Sequence, residues 1–198
     1  MLSFIGNQFK KPKGFFGKII SVLMKKGNRF TYEKIVPELE IKQGDTILEI
    51  GYGHGLGINM ICSTFDCRVI GIDFSELMFK EAQQRNKRHI DNKKVELHYG
   101  DFLDFKLGYL YDKIFCINVI YFWNELDKPF SKINAGLKDE GAFYIYMVHS
   151  DNLKKLKFTK DDIFNKYSID YVLDTLRNNG FSKIDYSYNT GYFIKCKK

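Results

Sequence analysis

The stretch that decides the fold is Ile47-Leu48-Glu49-Ile50-Gly51-Tyr52-Gly53-His54-Gly55-Leu56-Gly57. It begins as a short apolar strand, Thr46–Ile50, and continues into alternate glycines that open a helix over about Gly55–Phe65. Glycines at such a turn adopt backbone conformations that other residues avoid, and they let a ligand lie against the main chain. We therefore expect a ligand-binding strand–turn–helix unit, with a tight turn that binds nothing as the alternative.

The glycine pattern differs from that of a dinucleotide site, which reads Gly-x-Gly-x-x-Gly and holds pyrophosphate at the helix N-terminus. Leu56 occupies the third glycine position, so this run reads Gly-x-Gly-x-Gly instead. Glu49 stands two residues before Gly51, where a carboxylate repels pyrophosphate and suits a cationic ligand. Both features argue against a nicotinamide-dependent oxidoreductase, which stays open as the alternative enzyme.

Outward from this stretch, apolar strands alternate with amphipathic helices, as is typical of a doubly wound α/β sheet. We predict further strands at Arg68–Ile72, Val95–Tyr99, Tyr111–Asn118 and Ala142–Val148, and further helices at Thr31–Leu39, Ser75–Asn86, Glu125–Leu137 and Asp162–Asn178. The last two strands, Phe181–Tyr188 and Tyr192–Lys197, are too close in sequence for a parallel return. The predicted fold is a Rossmann-like sheet of seven strands with helices on both faces, mostly parallel and ending in an antiparallel hairpin.

Composition and charge fit one compact globular domain of 198 residues. The net charge of +7 arises from residues 1–34, which hold eight Lys/Arg and one acid, because residues 35–198 hold 23 of each sign. No basic groove along the whole domain is indicated, so a nucleic-acid partner is not expected. The four cysteines form no CxxC and no metal-ligand pattern, which favours free buried thiols, no metal and a cytoplasmic location.

The basic N-terminal segment contains a predicted amphipathic helix, Gly14–Lys26, with Phe16, Ile19, Ile20 and Leu23 on its apolar face. It is too short and too charged to span a membrane. We divide the chain into an N-terminal helical lid segment, residues 1–40, and a ligand-binding domain, residues 41–198. A helix lying on a membrane surface or against a lipid-like acceptor, and a simply solvated charged face, are the alternatives to a lid.

Two further acids follow strands. Asp73 closes Gly71-Ile72-Asp73, 22 residues after Gly51, the separation at which an acid meets ribose hydroxyls held over a glycine turn. We expect Asp73 at an open strand end; an acid that only stabilises the next helix N-terminus is the alternative. Asp101 follows the next strand in Tyr99-Gly100-Asp101-Phe102, which alone would be a common turn.

Taken in order, these three motifs resemble the class I S-adenosylmethionine-dependent methyltransferases. The family's strand-four motif resembles Phe115–Trp123, and its Leu-Lys-Pro-Gly-Gly turn resembles Leu137–Ala142, where Asp139 and Glu140 replace Pro-Gly. The final hairpin fits the family's antiparallel seventh strand. A subgroup of small bacterial methyltransferases is similar at Gly27-Asn28, Tyr32, Gly44-Asp45 and Glu49-Ile50-Gly51.

The resemblance implies S-adenosylmethionine as cofactor and assigns it a set of residues. Glu49 and a carbonyl at Asn118 would hold the methionine ammonium, and Gly51 and Gly53 would pass along the methionine and ribose. Asp73 would accept from the ribose hydroxyls. The adenine would be held by Phe74, Met78, Asp101 and Phe102.

The reaction implied is in-line transfer of the methyl group to a small or medium-sized acceptor, which needs alignment and exclusion of water more than a strong base. Candidate catalytic residues at strand ends are His149, as a base, and Tyr121, which would orient or deprotonate the acceptor. A packing or loop role is the alternative for each. Asn118-Val119-Ile120-Tyr121 lacks both prolines of the Asn-Pro-Pro-Tyr motif, so nucleic-acid methylation is not expected. A non-catalytic protein of the same fold is a further alternative, and the sequence does not specify the acceptor or the oligomeric state.

Overall fold

The computed structural model describes residues 29–155 and 164–198. Seven strands form one mixed sheet surrounded by helices, so the predicted fold class is confirmed. The chain divides into two compact units at residues 106 and 107. We call the described parts the glycine-loop unit, residues 29–106, and the C-terminal unit, residues 107–155 with 164–198.

The glycine-loop unit is a βαβαβ arrangement preceded by a helix. Its elements are α1, described over residues 29–38, β1 (Thr46–Ile50), α2 (Leu56–Thr64), β2 (Arg68–Asp73), α3 (Glu76–Asp91) and β3 (Val95–Tyr99). β2 pairs in parallel with β1 on one side and with β3 on the other. β1 and β2 are almost wholly buried, which explains why both are nearly continuous apolar runs.

The C-terminal unit continues the sheet and ends in the predicted hairpin. Its elements are β4 (Tyr111–Ile117), a 3₁₀ turn (Ile120–Phe122), α4 (Asp127–Gly136), β5 (Leu137–Met147), α5 (Ser150–Lys155), α6 (Ile169–Asn178), β6 (Ser182–Tyr188) and β7 (Tyr192–Lys197). β4 and β5 are parallel, whereas β7 lies antiparallel to both β5 and β6. The short connection Asn189-Thr190-Gly191 therefore makes an antiparallel turn, as predicted.

Three element bounds differ from the sequence prediction by five residues or more. α3 continues past Asn86 to Asp91, where an ion pair of 2.8 Å between Lys87 and Asp91 supports a polar last turn. β5 begins at Leu137 rather than Ala142, directly after α4. α6 begins at Ile169 rather than Asp162, because Ser168 caps it by accepting from the Tyr171 amide. The short helix α5 was not predicted at all.

Glu140 explains how the turn before the main part of β5 forms without the family's glycine. Its φ of 62° is left-handed, a conformation that usually favours glycine. The register between β4 and β5 shifts between Tyr111 and Lys113, so the strand is irregular there. The turn therefore forms with Asp139-Glu140 in place of Pro-Gly, and Glu140 takes the strained left-handed conformation.

β6 forms an edge of the sheet and is exposed over nearly its whole length. In the described part of the chain it pairs with β7 alone. The register shifts between Ser182 and Asp185, and Lys183 within that interval has a left-handed φ of 46°. The strand is thus irregular at its start and regular from Asp185 to Tyr188.

The predicted helix Gly14–Lys26 lies outside the described residues, as does most of the predicted lid segment, residues 1–40. The described part of this segment is α1. The lid and the division into two parts at residues 40 and 41 stay predictions. Within the two described ranges, no helix is long and apolar enough to cross a membrane. All four cysteines are free and buried, as expected.

Candidate functional site

The glycine loop follows β1 and adopts left-handed conformations at three alternate positions. Gly51, Gly53 and Gly55 have φ values of 74°, 53° and 73°. Gly55 also precedes the first turn of α2, and a Cβ added to it would stand 2.5 Å from Asn86 Nδ2 and 2.9 Å from Ala82 Cβ. Both its conformation and the close approach of α3 therefore require glycine at position 55.

Three side chains hold consecutive residues of this loop. Asp73 Oδ2 accepts from the Gly53 amide at 2.8 Å. Arg85 Nε donates to the His54 carbonyl at 3.1 Å, and Asn86 Nδ2 donates to the Gly55 carbonyl at 3.0 Å. The loop is thus fixed by the end of β2 and by the inner face of α3.

Sequence reasoning missed the contribution of Asn86. It is fully buried and follows Met78 and Ala82 at intervals of four residues on the apolar face of α3. A polar residue on such a face needs a partner, because burying an amide without one is costly. That pattern was the available signal, and the partners are the carbonyls of Gly55 and Ala82.

Asp73 lies where predicted in the chain but is not at an open strand end. It is only 7% exposed, and its Oδ1 accepts from the Ser75 amide at 2.8 Å while Oδ2 accepts from Gly53. Ser75 in turn caps α3 by accepting from the Met78 amide, as predicted. Asp73 therefore has a structural role in holding the loop and the start of α3.

Glu49 is fully buried near the end of β1. Its Oε1 accepts from the Tyr32 hydroxyl at 2.6 Å, whereas its buried Oε2 has no hydrogen-bond partner within residues 29–155 and 164–198. Burial raises the pKa of Glu49 to about 8, with the Tyr32 hydrogen bond lowering it and the charge of Asp73 raising it. A buried carboxylate oxygen without a partner is what a cationic ligand would satisfy.

The remaining predicted residues of this unit lie at the same edge of the sheet. Ile50 pairs with Ile72 and Asp73 with Tyr99, so the three parallel strands end side by side, where ligands of such sheets bind. Asp101, just after β3, is exposed, and its Oδ1 accepts from the Leu103 amide at 2.8 Å. The predicted adenine contacts differ in exposure: Met78 and Phe102 are buried and Phe74 is half-buried.

Asn118 belongs to the C-terminal unit and directly follows β4. Its φ of 58° is left-handed, and its amide donates to the Tyr146 carbonyl at 2.9 Å. The Tyr121 hydroxyl donates to Asn118 Oδ1 at 3.2 Å and accepts from the Val148 amide. Burial raises the pKa of Tyr121 far above its ordinary value. These contacts favour a positioning role for Tyr121 over the predicted role as a base.

His149, the other candidate base, follows β5 and is half-buried. Its Nδ1 accepts from the Asp151 amide at 3.0 Å, which indicates that Nε2 carries the proton when the ring is neutral. Its ring lies 5.5 Å from that of Tyr192 and 6.0 Å from that of Tyr188. A catalytic role for His149 stays a prediction.

An aromatic cluster follows β4 that the sequence did not predict. Phe164 packs against Phe122 at 5.0 Å and against Tyr121 at 6.4 Å between ring centroids. The next residues hold the 3₁₀ turn in place, since Asn165 Nδ2 and the Tyr167 hydroxyl both donate to the Trp123 carbonyl. The cluster gives the carboxyl end of β4 an apolar surrounding.

The residues of the glycine-loop unit fit S-adenosylmethionine by the chemistry of their donor set. Glu49 Oε2 matches an ammonium, and a Cβ added at Gly53 would meet nothing within 4 Å, so there is open space beside the loop at that position. Two further acids stand at the end of β2 and just after β3. A family model described as mycolic acid cyclopropane synthetase matches residues 22–192.

The chain belongs to this family of S-adenosylmethionine-dependent methyltransferases. The resemblance noted in the sequence is thereby confirmed, together with the enzyme class and the cofactor. A nicotinamide-dependent oxidoreductase and a non-catalytic protein of this fold, the two alternatives, find no support in this family membership.

Two of three relatives of this chain are named for different acceptors, and the third is uncharacterized. The chain is 34% identical over 131 residues to an uncharacterized methyltransferase, YdaC, of Bacillus subtilis. This match covers 65% of this chain and 70% of YdaC. It is 26% identical to a sterol 24-C-methyltransferase of Saccharomyces cerevisiae over 71% of this chain. It is 28% identical to the cyclopropane-fatty-acyl-phospholipid synthase of Escherichia coli over 67% of this chain. It spans only 40% and 33% of these last two proteins.

Solved structures agree on the fold. Phosphoethanolamine N-methyltransferase 2 of Haemonchus contortus, in complex with S-adenosyl-L-methionine, matches with a TM-score of 0.71 and 24% identity, over 79% of this chain and 38% of that one. The S-adenosylmethionine-dependent methyltransferase SibL matches with a TM-score of 0.74 and 11% identity, over 88% and 56%. The matched parts of all three chains therefore share one fold.

Proposed function

We propose that the enzyme transfers the methyl group of S-adenosylmethionine to a small or medium-sized acceptor through the residues predicted from the sequence. The observation that carries the proposal is Glu49 Oε2, a buried carboxylate oxygen without a partner in the described chain, beside a fixed glycine loop. An ammonium group supplies both the charge and the donors that this oxygen needs. The methionine end of the cofactor carries such a group.

Each residue then has a separate task. Glu49 binds the ammonium, Asp73 accepts from the ribose hydroxyls, and Asp101 accepts from the adenine amino group. The adenine lies against Phe74, Met78 and Phe102, and the backbone of Gly51 and Gly53 follows the methionine and ribose. The carbonyl of Asn118 is proposed as a second acceptor for the ammonium.

The cofactor supplies an already activated methyl group, so the protein mainly aligns the acceptor and excludes water. The Tyr121 hydroxyl bonds to Asn118 and to the amide of Val148, the first residue after β5, and so links these two parts of the chain. His149 is the proposed base for acceptors that must lose a proton. Acceptors without an acidic proton would not require it.

A lipid-like acceptor is the second candidate. Two relatives are a sterol methyltransferase and a fatty-acyl-phospholipid synthase by name. The aromatic cluster of Tyr121, Phe122 and Phe164 and the basic residues 1–34 are compatible with an apolar acceptor that carries an anionic group. We also propose a cytoplasmic location, supported by the four free cysteines.

The test is a transfer screen with methyl-labelled cofactor. Acceptors would include small amines and phenols, a sterol, and anionic phospholipid vesicles with unsaturated chains. Label in any acceptor, absent with Glu49→Gln, supports methyl transfer, and the acceptor that reacts decides between the two candidates. Calorimetry should show binding of S-adenosylhomocysteine and no comparable binding of NAD; tighter binding of NAD would overturn the proposal.

Removing residues 1–26 tests the lid. A folded, cofactor-binding core with greatly impaired transfer is expected if this segment closes over the acceptor. Full activity of the truncated protein on an identified acceptor would contradict the lid and leave the membrane surface or a solvated face as the role of these charges.

A further inference from the structure

Tyr32 makes a short side-chain hydrogen bond to Glu49, 17 residues further along the chain. Its hydroxyl donates to Glu49 Oε1 at 2.6 Å, and both residues are buried, at 3% and 0% exposure. The bond occupies one carboxylate oxygen and leaves Oε2 as the oxygen without a partner in the described residues. The orientation of the carboxylate, and hence the direction in which Oε2 can accept, is thus tied to α1.

The ring of Tyr32 is itself held in place. It lies against Gly57 so closely that a Cβ on this residue would overlap the ring. Gly57 belongs to the first turn of α2, directly after the glycine loop. The hydroxyl of Tyr32 therefore cannot move far from Glu49 without movement of α1 or of the loop.

We infer that Tyr32 is a positioning residue for the cofactor: its bond to Oε1 holds the Glu49 carboxylate with Oε2 available to the cofactor ammonium and favours the ionised form that this ammonium needs. Binding of the ammonium should depend on pH, because it requires that ionised form. The inference rests on the proposed function, because it assigns a partner and a regulation to the same site. Tyr32 itself need not touch the cofactor. It acts through the carboxylate that does.

The electrostatic surroundings of Glu49 support this dependence. Burial and the charge of Asp73 on β2 raise its pKa, whereas the bond from Tyr32 lowers it, to a result of about 8. Tyr52 in the loop and Cys62 on α2 also interact with Glu49. Burial raises the pKa of Tyr52, and the hydrogen bond with Cys67 together with burial raises the pKa of Cys62, so both stay neutral near pH 7. Of these groups, Glu49 is the one that titrates near neutral pH.

The proton balance follows from this arrangement. Near pH 7 the free protein holds a proton on Glu49, and an ammonium ligand needs the ionised carboxylate. Binding therefore releases about one proton to solvent at pH 7. The dissociation constant should fall about tenfold for each pH unit up to pH 8 and then level off, as long as the ligand amine stays protonated.

The experiment uses the full chain, Tyr32→Phe and two probe ligands. S-adenosylhomocysteine carries the ammonium, whereas 5′-methylthioadenosine has the same adenosine and lacks the amino-acid part. Calorimetric titrations from about pH 6 to 9, in buffers of different ionisation enthalpy, give dissociation constants and proton release. Tyr167→Phe is the matched control, since it removes another phenolic hydrogen bond of 2.6 Å, to the Trp123 carbonyl.

Tyr32→Phe keeps the ring that packs against Gly57 and should fold, which circular dichroism would check. We expect it to weaken S-adenosylhomocysteine about tenfold or more at pH 7. The deficit should shrink toward pH 9, because loss of the hydrogen bond raises the Glu49 pKa further. Binding of 5′-methylthioadenosine should not change, and Tyr167→Phe should match the unaltered protein with both ligands.

Three results would overturn the inference. One is an unchanged affinity and pH profile for S-adenosylhomocysteine in Tyr32→Phe. Another is an equal, pH-independent loss for both ligands, which would indicate a merely structural role. The third is failure of the unaltered protein to bind either ligand, and this result alone would also overturn the proposed function.

Discussion

The Gly53 amide donates to Asp73 Oδ2 at 2.8 Å, so the acid that closes β2 also holds the loop that follows β1. This bond links two motifs that lie 20 residues apart in sequence. It places a negative charge against the main chain of the loop before any ligand arrives. A substitution in the loop or at Asp73 should therefore disturb the position of the other.

Replacing Asp73 by Ala should reduce both stability and cofactor binding. The amides of Gly53 and Ser75 would lose a charged acceptor, at about 1.5–3 kcal/mol for each bond in the free energy of unfolding. S-adenosylhomocysteine should also bind about 1.5–3 kcal/mol more weakly. Urea unfolding and calorimetry measure the two effects. Asp73→Asn keeps one carbonyl acceptor and should lose less stability and less affinity than Asp73→Ala. An unchanged affinity in folded Asp73→Ala would contradict the proposal that Asp73 binds the ribose.

Replacing Gly55 by Ala should destabilise the glycine loop. The new Cβ would meet Asn86 Nδ2 at 2.5 Å in a backbone conformation that alanine avoids. We expect a loss of about 1–3 kcal/mol in unfolding free energy, from strain and from displacement of Asn86. Gly108→Ala is the control, because a Cβ at that position meets nothing within 4 Å. Equal stability of the two variants would contradict the tight contact between α3 and the loop.

Replacing Glu49 by Gln should stabilise the free protein in a pH-dependent way. The pKa of Glu49 is raised from 4.5 to about 8 on folding, so its favourable contribution is complete below pH 4.5 and is lost as pH rises to about 8. Across this window the unaltered protein should lose stability relative to Glu49→Gln by about 1.4 kcal/mol for each pH unit. Chemical unfolding at several pH values measures the difference. A constant difference from pH 4 to 9 would show that the pKa of Glu49 is not raised.

Replacing Tyr121 by Phe should cost stability without changing the pH dependence of catalysis. The Val148 amide and Asn118 Oδ1 would lose their shared hydroxyl, worth about 1–3 kcal/mol in unfolding free energy. Because burial holds the Tyr121 pKa far above neutral, no inflection near pH 7–9 should disappear. Tyr146→Phe, which loses an exposed bond to Thr190, should cost much less. Loss of a pH inflection on an identified acceptor would restore Tyr121 as a base.

Much of the fold follows from the sequence because β1, β2 and β4 are buried along nearly their whole length and therefore read as apolar runs. β1, β3 and β7 have the predicted bounds, and β2 differs by one residue. The bounds that failed depend on long-range contacts. β5 begins early because Leu137 pairs with Tyr111, and α6 begins late because the chain before Ser168 bonds to the 3₁₀ turn.

In the candidate site too, local sequence patterns were predicted and long-range contacts were not. Glu49, the glycines and Asp73 were found because their spacing along the chain is a local pattern. Tyr32 and Asn86 were not identified as site residues, because their roles come from contacts that only the fold brings about. Asp73 was placed correctly in sequence, but its burial could not be read from one strand, since the loop that covers it follows another.

The irregular start of β6 has a consequence for how this protein behaves at high concentration. An edge strand offers unpaired amides and carbonyls on which another chain can build, and the left-handed Lys183 together with the charge of Asp185 interrupts that row. Only the last residues of β6, where Tyr186 and Tyr188 are exposed, pair regularly with β7. Any aggregate that grows strand on strand from this edge would begin at those tyrosines, and a single lysine substituted there should suppress it.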